Sequence, residues 1–307
     1  MSSARLGFIG VSTTQSLVNE LFPRWSKTLG LGIGEVVGID LPVNLTGDAI
    51  RSAVLRIRED TSVSGALVTT HKVAVWEHTR DLFKKFDEHA QRLCEVSCLS
   101  RNPQGDLVGH AKDPITAGLA WDQVVSSYHW SRHPEAELLI LGSGGAGVAL
   151  AWNVLQRESA PRMVTLTELN PERLLTAKSH LQKFGRSQVH VSLTGTPAVA
   201  DRHLGHLPPH SMVVNATGLG KDRPGSPLTD AAQFPKHGIV WEFNYRGERQ
   251  FLTQAQEQMQ AQQLQIVDGW DYFLLGWAHV SAEVFHFDLT PECFQTLKET
   301  AQPLRPI

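Results

Sequence analysis

The chain has 307 residues, which is long enough for two domains of ordinary size. Its net charge of −3 and its charged content of 19% are ordinary for a soluble globular protein and provide no broad basic surface for nucleic acid. No apolar run is long enough to span a bilayer, and the N-terminus passes into a strand-like segment without a signal-peptide pattern. These features predict a cytoplasmic protein that binds neither membranes nor nucleic acid.

The three cysteines are Cys94, Cys98 and Cys293, an odd and sparse set that predicts reduced thiols. Cys94 and Cys98 have the spacing of a metal-binding pair. No second Cys/His pair with zinc-like spacing follows them, so we interpret both as small buried hydrophobic residues and predict no metal site.

The N-terminal part of the chain alternates strand-like and helix-like patterns. Short runs rich in β-branched and apolar residues predict strands at residues 6–10, 35–40, 65–70, 95–100 and 106–109. Apolar residues at helical spacing predict helices at residues 16–31, 46–57 and 75–86. Asp113 and Pro114 are typical of a helix start, and that helix is predicted to run to about Val125. Residues 1–113 are therefore predicted to form an α/β domain.

The strongest local motif is a glycine-rich turn that follows a buried strand at residues 137–141. The turn reads Gly142, Ser143, Gly144, Gly145, Ala146 and Gly147, which is a G-x-G-x-x-G pattern. A helix at 148–155 and a second strand at 163–167 follow in the order of a dinucleotide-binding unit. The glycines permit a tight turn, a close approach to a pyrophosphate and close helix–strand packing, while the helix N–H groups face the phosphates. The alternative is a glycine-rich turn with no ligand.

Glu168 ends the second strand of this unit and lies 21 residues after Gly147. A carboxylate there is expected to accept hydrogen bonds from both ribose hydroxyls of an adenosine and to repel a 2′-phosphate. The cofactor is therefore predicted to be NAD, with NADP less favoured.

The rest of the chain extends this second domain and then returns to the first. Strands are predicted at residues 189–193, 212–217, 238–244 and 265–268. The apolar segment after Gly269 has helical length and is predicted to pack on the first domain. The predicted domains are residues 1–113 with about 270–307, and residues 114–269.

Several landmarks occur in an order that resembles the shikimate/quinate dehydrogenase family along almost the whole chain. They are Ser16 after the first strand, Thr70-His71-Lys72 after the third, Gly109 to Asp113 before a helix, LGSGGAG, the NAT turn at Asn215 to Thr217, Tyr245 after a strand, and DGWDYFLLGWA near the C-terminus. The resemblance implies an N-terminal α/β substrate-binding domain, a Rossmann-like NAD(P)-binding domain, and a C-terminal helix that returns to the first domain.

The same resemblance implies roles for individual residues. Lys72 and Asp113 match the family's catalytic pair, and Lys72 can supply the acid/base group if partial burial lowers its pKa. The residues expected to line the substrate site are Ser16, Thr70, His71, Ser97, Tyr245 and Trp277. Asn215, Thr217 and Gly218 are expected beside the nicotinamide ribose, and Leu169 stands where NADP-using relatives often carry Arg. The alternatives are that Lys72 is a surface lysine, that Ser16 only begins a helix and that Trp277 packs in the core.

The positions that read the substrate differ from the family pattern. The family's NVTxPxK becomes ALVTTHK, its AVNT becomes Glu95-Val96-Ser97-Cys98, its NTD becomes Ala111-Lys112-Asp113, and its late Gln becomes Trp277. A pocket that loses hydrogen-bonding partners discriminates against a polyhydroxylated substrate. This difference favours a more apolar or aromatic substrate.

The sequence thus predicts an NAD-dependent oxidoreductase, monomeric or homodimeric, that interconverts a cyclic secondary alcohol and its ketone. Shikimate-like or quinate-like acids are the default substrates. The alternatives are a related enzyme of specialised metabolism with a different substrate and a non-catalytic NAD-binding regulator. A methylenetetrahydrofolate-type dehydrogenase matches the motifs less well.

Overall fold

The computed structural model describes residues 3–181, 188–221 and 223–306. The chain has an α/β fold that divides into two units. Unit 1 consists of Met1–Asp113 and Leu274–Ile307, and unit 2 consists of Pro114–Phe273. Among the described residues, no helix has both the length and the apolar composition needed to cross a membrane.

Unit 1 is built on a six-stranded mixed sheet. Its strands are β1 (Ser3–Gly10), β2 (Ile33–Asp40), β3 (Val63–Val68), β4 (Lys85–Phe86), β5 (Cys98–Arg101) and β6 (Leu107–His110). The strand order is β2-β1-β3-β5-β6-β4. β1 pairs in parallel with both β2 and β3, whereas β5 is antiparallel to β3 and to β6. The buried strands are almost continuously apolar, as expected for a sheet covered on both faces.

Helices connect the strands of unit 1. The helices that precede the second unit in the chain are α1 (Val18–Thr28), α2 (Gly47–Glu59), α3 (Lys72–Thr79) and α4 (Glu88–Leu93). Thr46 caps α2 and Asp87 caps α4, each by accepting a hydrogen bond from a backbone N–H three residues later. Cys98 is buried as expected, but Cys94 is partly exposed and ends α4 in the left-handed conformation.

The prediction of one helix over residues 75–86 was wrong. α3 begins earlier, at Lys72, and ends at Thr79, after which a 3-10 turn leads into β4. Phe83 is extended, and the N–H of Lys84 donates to the carbonyl of Leu107. The apolar residues that fit a helical face are instead buried by pairing of this segment with β6, so tertiary contacts override the local pattern.

Unit 2 is a six-stranded, fully parallel sheet flanked by helices. Its strands are β7 (Leu138–Leu141), β8 (Met163–Glu168), β9 (Gln188–Leu193), β10 (Met212–Asn215), β11 (Ile239–Glu242) and β12 (Gln265–Val267). The order is β12-β11-β10-β7-β8-β9, with the first strand β7 next to the point where the order reverses. This is the doubly wound arrangement in which ligands bind at the carboxyl ends of the central strands.

The helices of unit 2 connect these strands. They are α5 (Asp113–Val124), α6 (His129–Arg132), α7 (Gly145–Leu155), α8 (Pro171–Leu181), α9 (Pro197–Gly205) and α10 (Gln250–Gln262), with α5 beginning on the last residue of unit 1. Leu139, Val213, Val240 and Phe251 belong to one core cluster, which joins the sheet to α10.

Two helices complete the C-terminal part, α11 (Trp270–Phe285) and α12 (Pro291–Ala301). The division between the units falls after the first turn of α11, so most of this helix belongs to unit 1. The buried indole of Trp25 in α1 donates a hydrogen bond of 2.8 Å to the carbonyl of Leu297 in α12. This bond and the surrounding apolar contacts join the C-terminal segment to the N-terminal one.

Candidate active site

Unit 1 contains a largely buried ion pair between Lys72 and Asp113. Lys72 is the first residue of α3, and Asp113 is the first residue of α5. Lys72 Nζ donates a hydrogen bond to Asp113 Oδ2, and the two side chains are 15% and 14% exposed. Two helix starts thus bring together residues that are distant in sequence, and the small exposed fraction leaves the pair in reach of a small molecule.

The electrostatics of the pair differ from the sequence prediction. Burial is the largest single influence on the Lys72 ammonium and lowers its pKa. The negative charges of Asp113 and Glu95, with the hydrogen bond to Asp113, outweigh burial and raise the pKa above its ordinary value. The condition of a lowered Lys72 pKa is therefore not met. Lys72 is protonated at neutral pH, which suits a proton donor to a carbonyl oxygen.

Glu95 is a second carboxylate beside this pair. Its side chain is 3% exposed, and its Oε1 has no hydrogen-bond partner among the described residues. Burial, followed by repulsion from Asp113, raises the pKa of Glu95 to about 8, against the attraction of Lys72. Glu95 is therefore mostly protonated at neutral pH, and it ionises in mildly alkaline solution.

The segments around the pair are fixed by backbone hydrogen bonds. The N–H of Val96 donates to the carbonyl of Lys72 over 3.0 Å. Ser97 is buried, and its Oγ accepts a 2.7 Å hydrogen bond from the N–H of Lys112. Ser97 therefore holds the backbone that leads to Asp113.

His71 and Thr70 precede the lysine and lie in different environments. His71 is buried, its Nε2 lies 3.3 Å from the carbonyl of Leu41, and burial lowers its pKa, so the imidazole is neutral at neutral pH. Thr70 is exposed and has a positive φ of 49°, an uncommon conformation for a β-branched residue. Ser16 is partly buried, and its Oγ accepts a 3.4 Å hydrogen bond from the N–H of Val18 at the start of α1.

Lys112, next to Asp113 in the chain, is directed to a different partner. Its Nζ donates a 2.6 Å hydrogen bond to Glu283 Oε2 on α11. Glu283 also lies 3.4 Å from His110 Nε2. Lys112 therefore belongs to a separate polar cluster within unit 1.

Two aromatic residues predicted at the substrate site are buried. Trp277 in α11 packs edge-on against Phe8 of β1, with ring centroids 5.0 Å apart. Tyr245 follows β11 and stacks on Phe273 at 3.8 Å, with Lys221 Nζ 5.8 Å from its ring centroid. Core contacts thus account for much of the surface of both rings.

The glycine-rich turn of unit 2 is tight and leads directly into α7. Gly142 has a φ of +99°, which favours glycine, and Gly144 is the N-cap of α7, which begins at Gly145. A Cβ on Gly147 would lie 2.2 Å from the carbonyl oxygen of Gly142, so a side chain there would force the helix and the turn apart. A Cβ on Gly144 would meet no protein atom within 4 Å, so the space above the turn is open. Ala146 is partly buried in the first turn of the helix.

The carboxylate of Glu168 anchors the turn to the end of β8. Its Oε2 accepts a 2.8 Å hydrogen bond from Ser143 Oγ, and its Oε1 accepts hydrogen bonds from the N–H groups of Leu169 and Asn170 at 2.8 and 3.0 Å. A carboxylate has about four acceptor sites, so these three bonds leave about one for a ribose hydroxyl. The Leu169 side chain is 62% exposed.

The turn after β10 is fixed by a buried carboxylate. Asn215 Nδ2 donates a 2.8 Å hydrogen bond to Glu242 Oε2, and Asn215 Oδ1 accepts from both the N–H and the Oγ1 of Thr217. Burial raises the pKa of Glu242 to about 7 despite the hydrogen bonds from Asn244 and Asn215. Gly218 follows this turn, and the position of a Cβ on it would be open space.

No protein-family model matches the chain. A protein of Sphingopyxis alaskensis named shikimate dehydrogenase (NADP(+)) is 28% identical over 250 residues, which are 81% of this chain and 80% of that protein. Shikimate 5-dehydrogenase from Listeria monocytogenes, solved with shikimate and NAD, superposes with a TM-score of 0.69 at 16% identity, covering 97% and 96% of the two chains. Quinate dehydrogenase from Corynebacterium glutamicum, solved with NAD, gives 0.70 at 17% identity and covers 98% and 99%.

The chain is thus similar in sequence to a shikimate dehydrogenase over most of its length, and in fold to shikimate and quinate dehydrogenases. The similarity to the solved structures extends over both units, and it confirms the predicted α/β fold with a Rossmann-like domain. The Sphingopyxis protein is named for NADP(+), whereas the quinate dehydrogenase was solved with NAD.

Two acidic residues of this chain were missed in the sequence. Glu95 stands where the family pattern has Ala, and an acid in an otherwise apolar segment was the available signal. Glu242 is the last residue of the otherwise apolar strand β11, where a charged residue is costly unless it is hydrogen-bonded. Both carboxylates were overlooked because strand patterning was given more weight than the cost of burying a charge.

Proposed function

We propose that this protein is a nicotinamide-dependent dehydrogenase that interconverts a secondary alcohol and its ketone. The observation that carries the proposal is the buried Lys72–Asp113 ion pair, in a chain that is similar to alcohol-oxidising enzymes and whose other unit has a glycine-rich dinucleotide cradle. A purely structural role would more often be filled by apolar residues, because burying an ion pair is costly.

The proposed catalytic roles of Lys72 and Asp113 follow from their charges. Lys72, held protonated by Asp113, donates a proton to the ketone oxygen in the reductive direction and must be neutral to accept one in the oxidative direction. Asp113 orients the ammonium through its hydrogen bond. Oxidation is therefore expected to be faster in mildly alkaline solution than at neutral pH, and reduction to persist at neutral pH.

The residues of unit 2 fit a dinucleotide, and the proposed cofactor is NAD. The open space at Gly144 and the N–H groups at the start of α7 would receive a pyrophosphate. The bound nicotinamide would supply the hydride chemistry that amino acid side chains lack. Glu168 would repel a 2′-phosphate, and the exposed Leu169 offers that phosphate no hydrogen-bond donor. These residues favour NAD, although the Sphingopyxis relative is named for NADP(+).

The proposed substrate is a cyclic hydroxy acid or a more apolar cyclic alcohol. Ala111 stands where the family pattern has Asn and is fully buried, and Trp277 occupies the position of its late Gln and packs on Phe8. Fewer polar groups remain to replace water around several ring hydroxyls. This loss supports a substrate with fewer hydroxyls than shikimate.

Calorimetric titration of NAD and NADP, each alone and with shikimate or quinate present, tests the proposal. Tighter binding of NAD than of NADP and a heat from either acid would support a cyclic hydroxy acid as substrate. NAD binding without a response to either acid would direct the search to other cyclic alcohols. If the protein binds neither NAD nor NADP, the proposed function is refuted.

A further inference from the structure

The feature of unit 1 that the proposed mechanism leaves unused is the buried carboxylate of Glu95. It lies between α4 and β5, and the residue after it donates a backbone hydrogen bond of 3.0 Å to the carbonyl of Lys72. One of its oxygens is buried and lacks a hydrogen-bond partner among the described residues. An unsatisfied buried carboxyl costs free energy, so its retention beside the ion pair needs a reason.

The charged groups that act on Glu95 come from the two neighbouring helix starts. Lys72 at the start of α3 attracts its charge, and Asp113 at the start of α5 repels it. The cluster therefore holds one ammonium and two carboxylates, one more acid than the ion pair requires. While Glu95 is protonated, the cluster is neutral, and when Glu95 ionises the cluster carries one net negative charge.

We propose that Glu95 is a positioning residue whose ionised form holds Lys72 protonated, so that the cluster favours ketone reduction over alcohol oxidation in alkaline solution. The inference rests on the proposed function for the roles of Lys72 in reduction and oxidation. The effect of Glu95 on the Lys72 pKa, however, involves only residues of unit 1 and can be measured without substrate. A negative charge close to the ammonium stabilises the protonated amine most strongly in a site that excludes water. Ionised Glu95 thus adds to the effect of Asp113 and further reduces the fraction of neutral Lys72 in alkaline solution.

The titration of the cluster follows the rules for coupled groups. Near pH 8 the cluster loses its first proton, mainly from Glu95, and the remaining negative charge makes the second loss, from Lys72, more difficult. The wild-type oxidation rate is therefore expected to level off above about pH 8. In Glu95→Gln the side chain cannot ionise, and the fraction of neutral Lys72 continues to rise with pH.

The first test measures the pKa of Lys72 directly, without substrate or nucleotide. NMR signals of the side-chain Cε groups are followed with pH in protein labelled with ¹³C-lysine, and Lys72→Arg assigns the signal. The Lys72 pKa is expected to be about one pKa unit or more lower in Glu95→Gln than in the wild type. Glu88→Gln is the matched control, because it removes the same charge from an exposed side chain paired with Arg92. An equal Lys72 pKa in the wild type and in Glu95→Gln would overturn the inference.

The second test compares pH profiles of alcohol oxidation in the two proteins. With Glu95 titrating at about 8, the ratio of the Glu95→Gln rate to the wild-type rate is expected to be about two at pH 8 and to approach about ten at pH 9. The difference should lie in kcat, because a changed KM alone would indicate a substrate contact. Profiles of identical shape would overturn the inference. If neither protein oxidises any alcohol, the proposed function fails, while the NMR comparison still decides the role of Glu95.

Discussion

Replacing Lys72 by Met separates the chemical role of the buried ion pair from its structural role. The substitution keeps most of the apolar stem of lysine and removes the ammonium, which leaves the largely buried carboxylate of Asp113 without its cation. A positioned acid/base group contributes about 10²–10⁴-fold to the rate, and kcat is expected to fall by about that factor. NAD affinity is expected to persist, because the glycine-rich turn belongs to unit 2.

The same substitution has a stability cost that can be worked from the burial of the pair. The side chains of Lys72 and Asp113 are 15% and 14% exposed, and removing one partner of such a pair costs about 3–5 kcal/mol. At about 2–4 °C per kcal/mol, Tm is expected to fall by about 6–20 °C.

The double variant Lys72→Met/Asp113→Asn provides the control. It removes the unpaired charge of Asp113 and is expected to recover much of the lost Tm without recovering turnover. The assay measures Tm by thermal unfolding, NAD binding by calorimetry, and kcat from the absorbance of reduced nicotinamide. A kcat in Lys72→Met within a factor of about three of the wild type would refute the acid/base role of Lys72.

Three further predictions concern the cradle, the cofactor choice and pH. Gly144→Ala adds a Cβ that meets no protein atom within 4 Å, so Tm should be unchanged. The NAD affinity measured by calorimetry should fall by about tenfold or more, because the Cβ would occupy the space expected for the pyrophosphate. An unchanged NAD affinity would contradict a pyrophosphate at this turn. Leu169→Arg, at an exposed side chain, should raise NADP affinity by about tenfold through a charged hydrogen bond, and an unchanged NADP affinity would argue against the assigned ribose site. Because the folded pKa of Glu95 is raised to about 8, the stability contributed by its protonated form is present below its unfolded pKa and is lost as pH rises to about 8. The Tm advantage of Glu95→Gln over the wild type should therefore grow between pH 5 and pH 8, and a constant difference would contradict the raised pKa.

The parts of the fold that could be predicted from sequence are those with strong local signals. The buried strand β7, the glycines of the turn and the apolar helix α7 follow one another in sequence, so their pattern alone indicates the dinucleotide unit. The segment from Phe83 to Phe86 was mistaken for helix because its aromatic spacing fits a helical face, and only pairing with β6 decides the outcome.

The contact between Lys72 and Asp113 could be predicted from the sequence, but the electrostatics around it could not. The order of the motifs predicted that Lys72 and Asp113 belong together, whereas the raised pKa of Lys72 results from the charges of Asp113 and Glu95 acting against burial, which only the folded structure shows. The sequence motif also did not predict the hydrogen bonds that Glu168 accepts from Ser143 and from the backbone that follows it.

Incubation of the protein with NAD and a panel of cyclic secondary alcohols at about pH 9 tests the central claim most directly. The panel includes shikimate and quinate, and the measurement is the absorbance of reduced nicotinamide. The account predicts its formation with at least one alcohol in the wild type and a rate reduced by about 10²–10⁴-fold in Lys72→Met. Binding of NAD without its reduction by any alcohol would contradict the account and favour a non-catalytic nucleotide-binding protein.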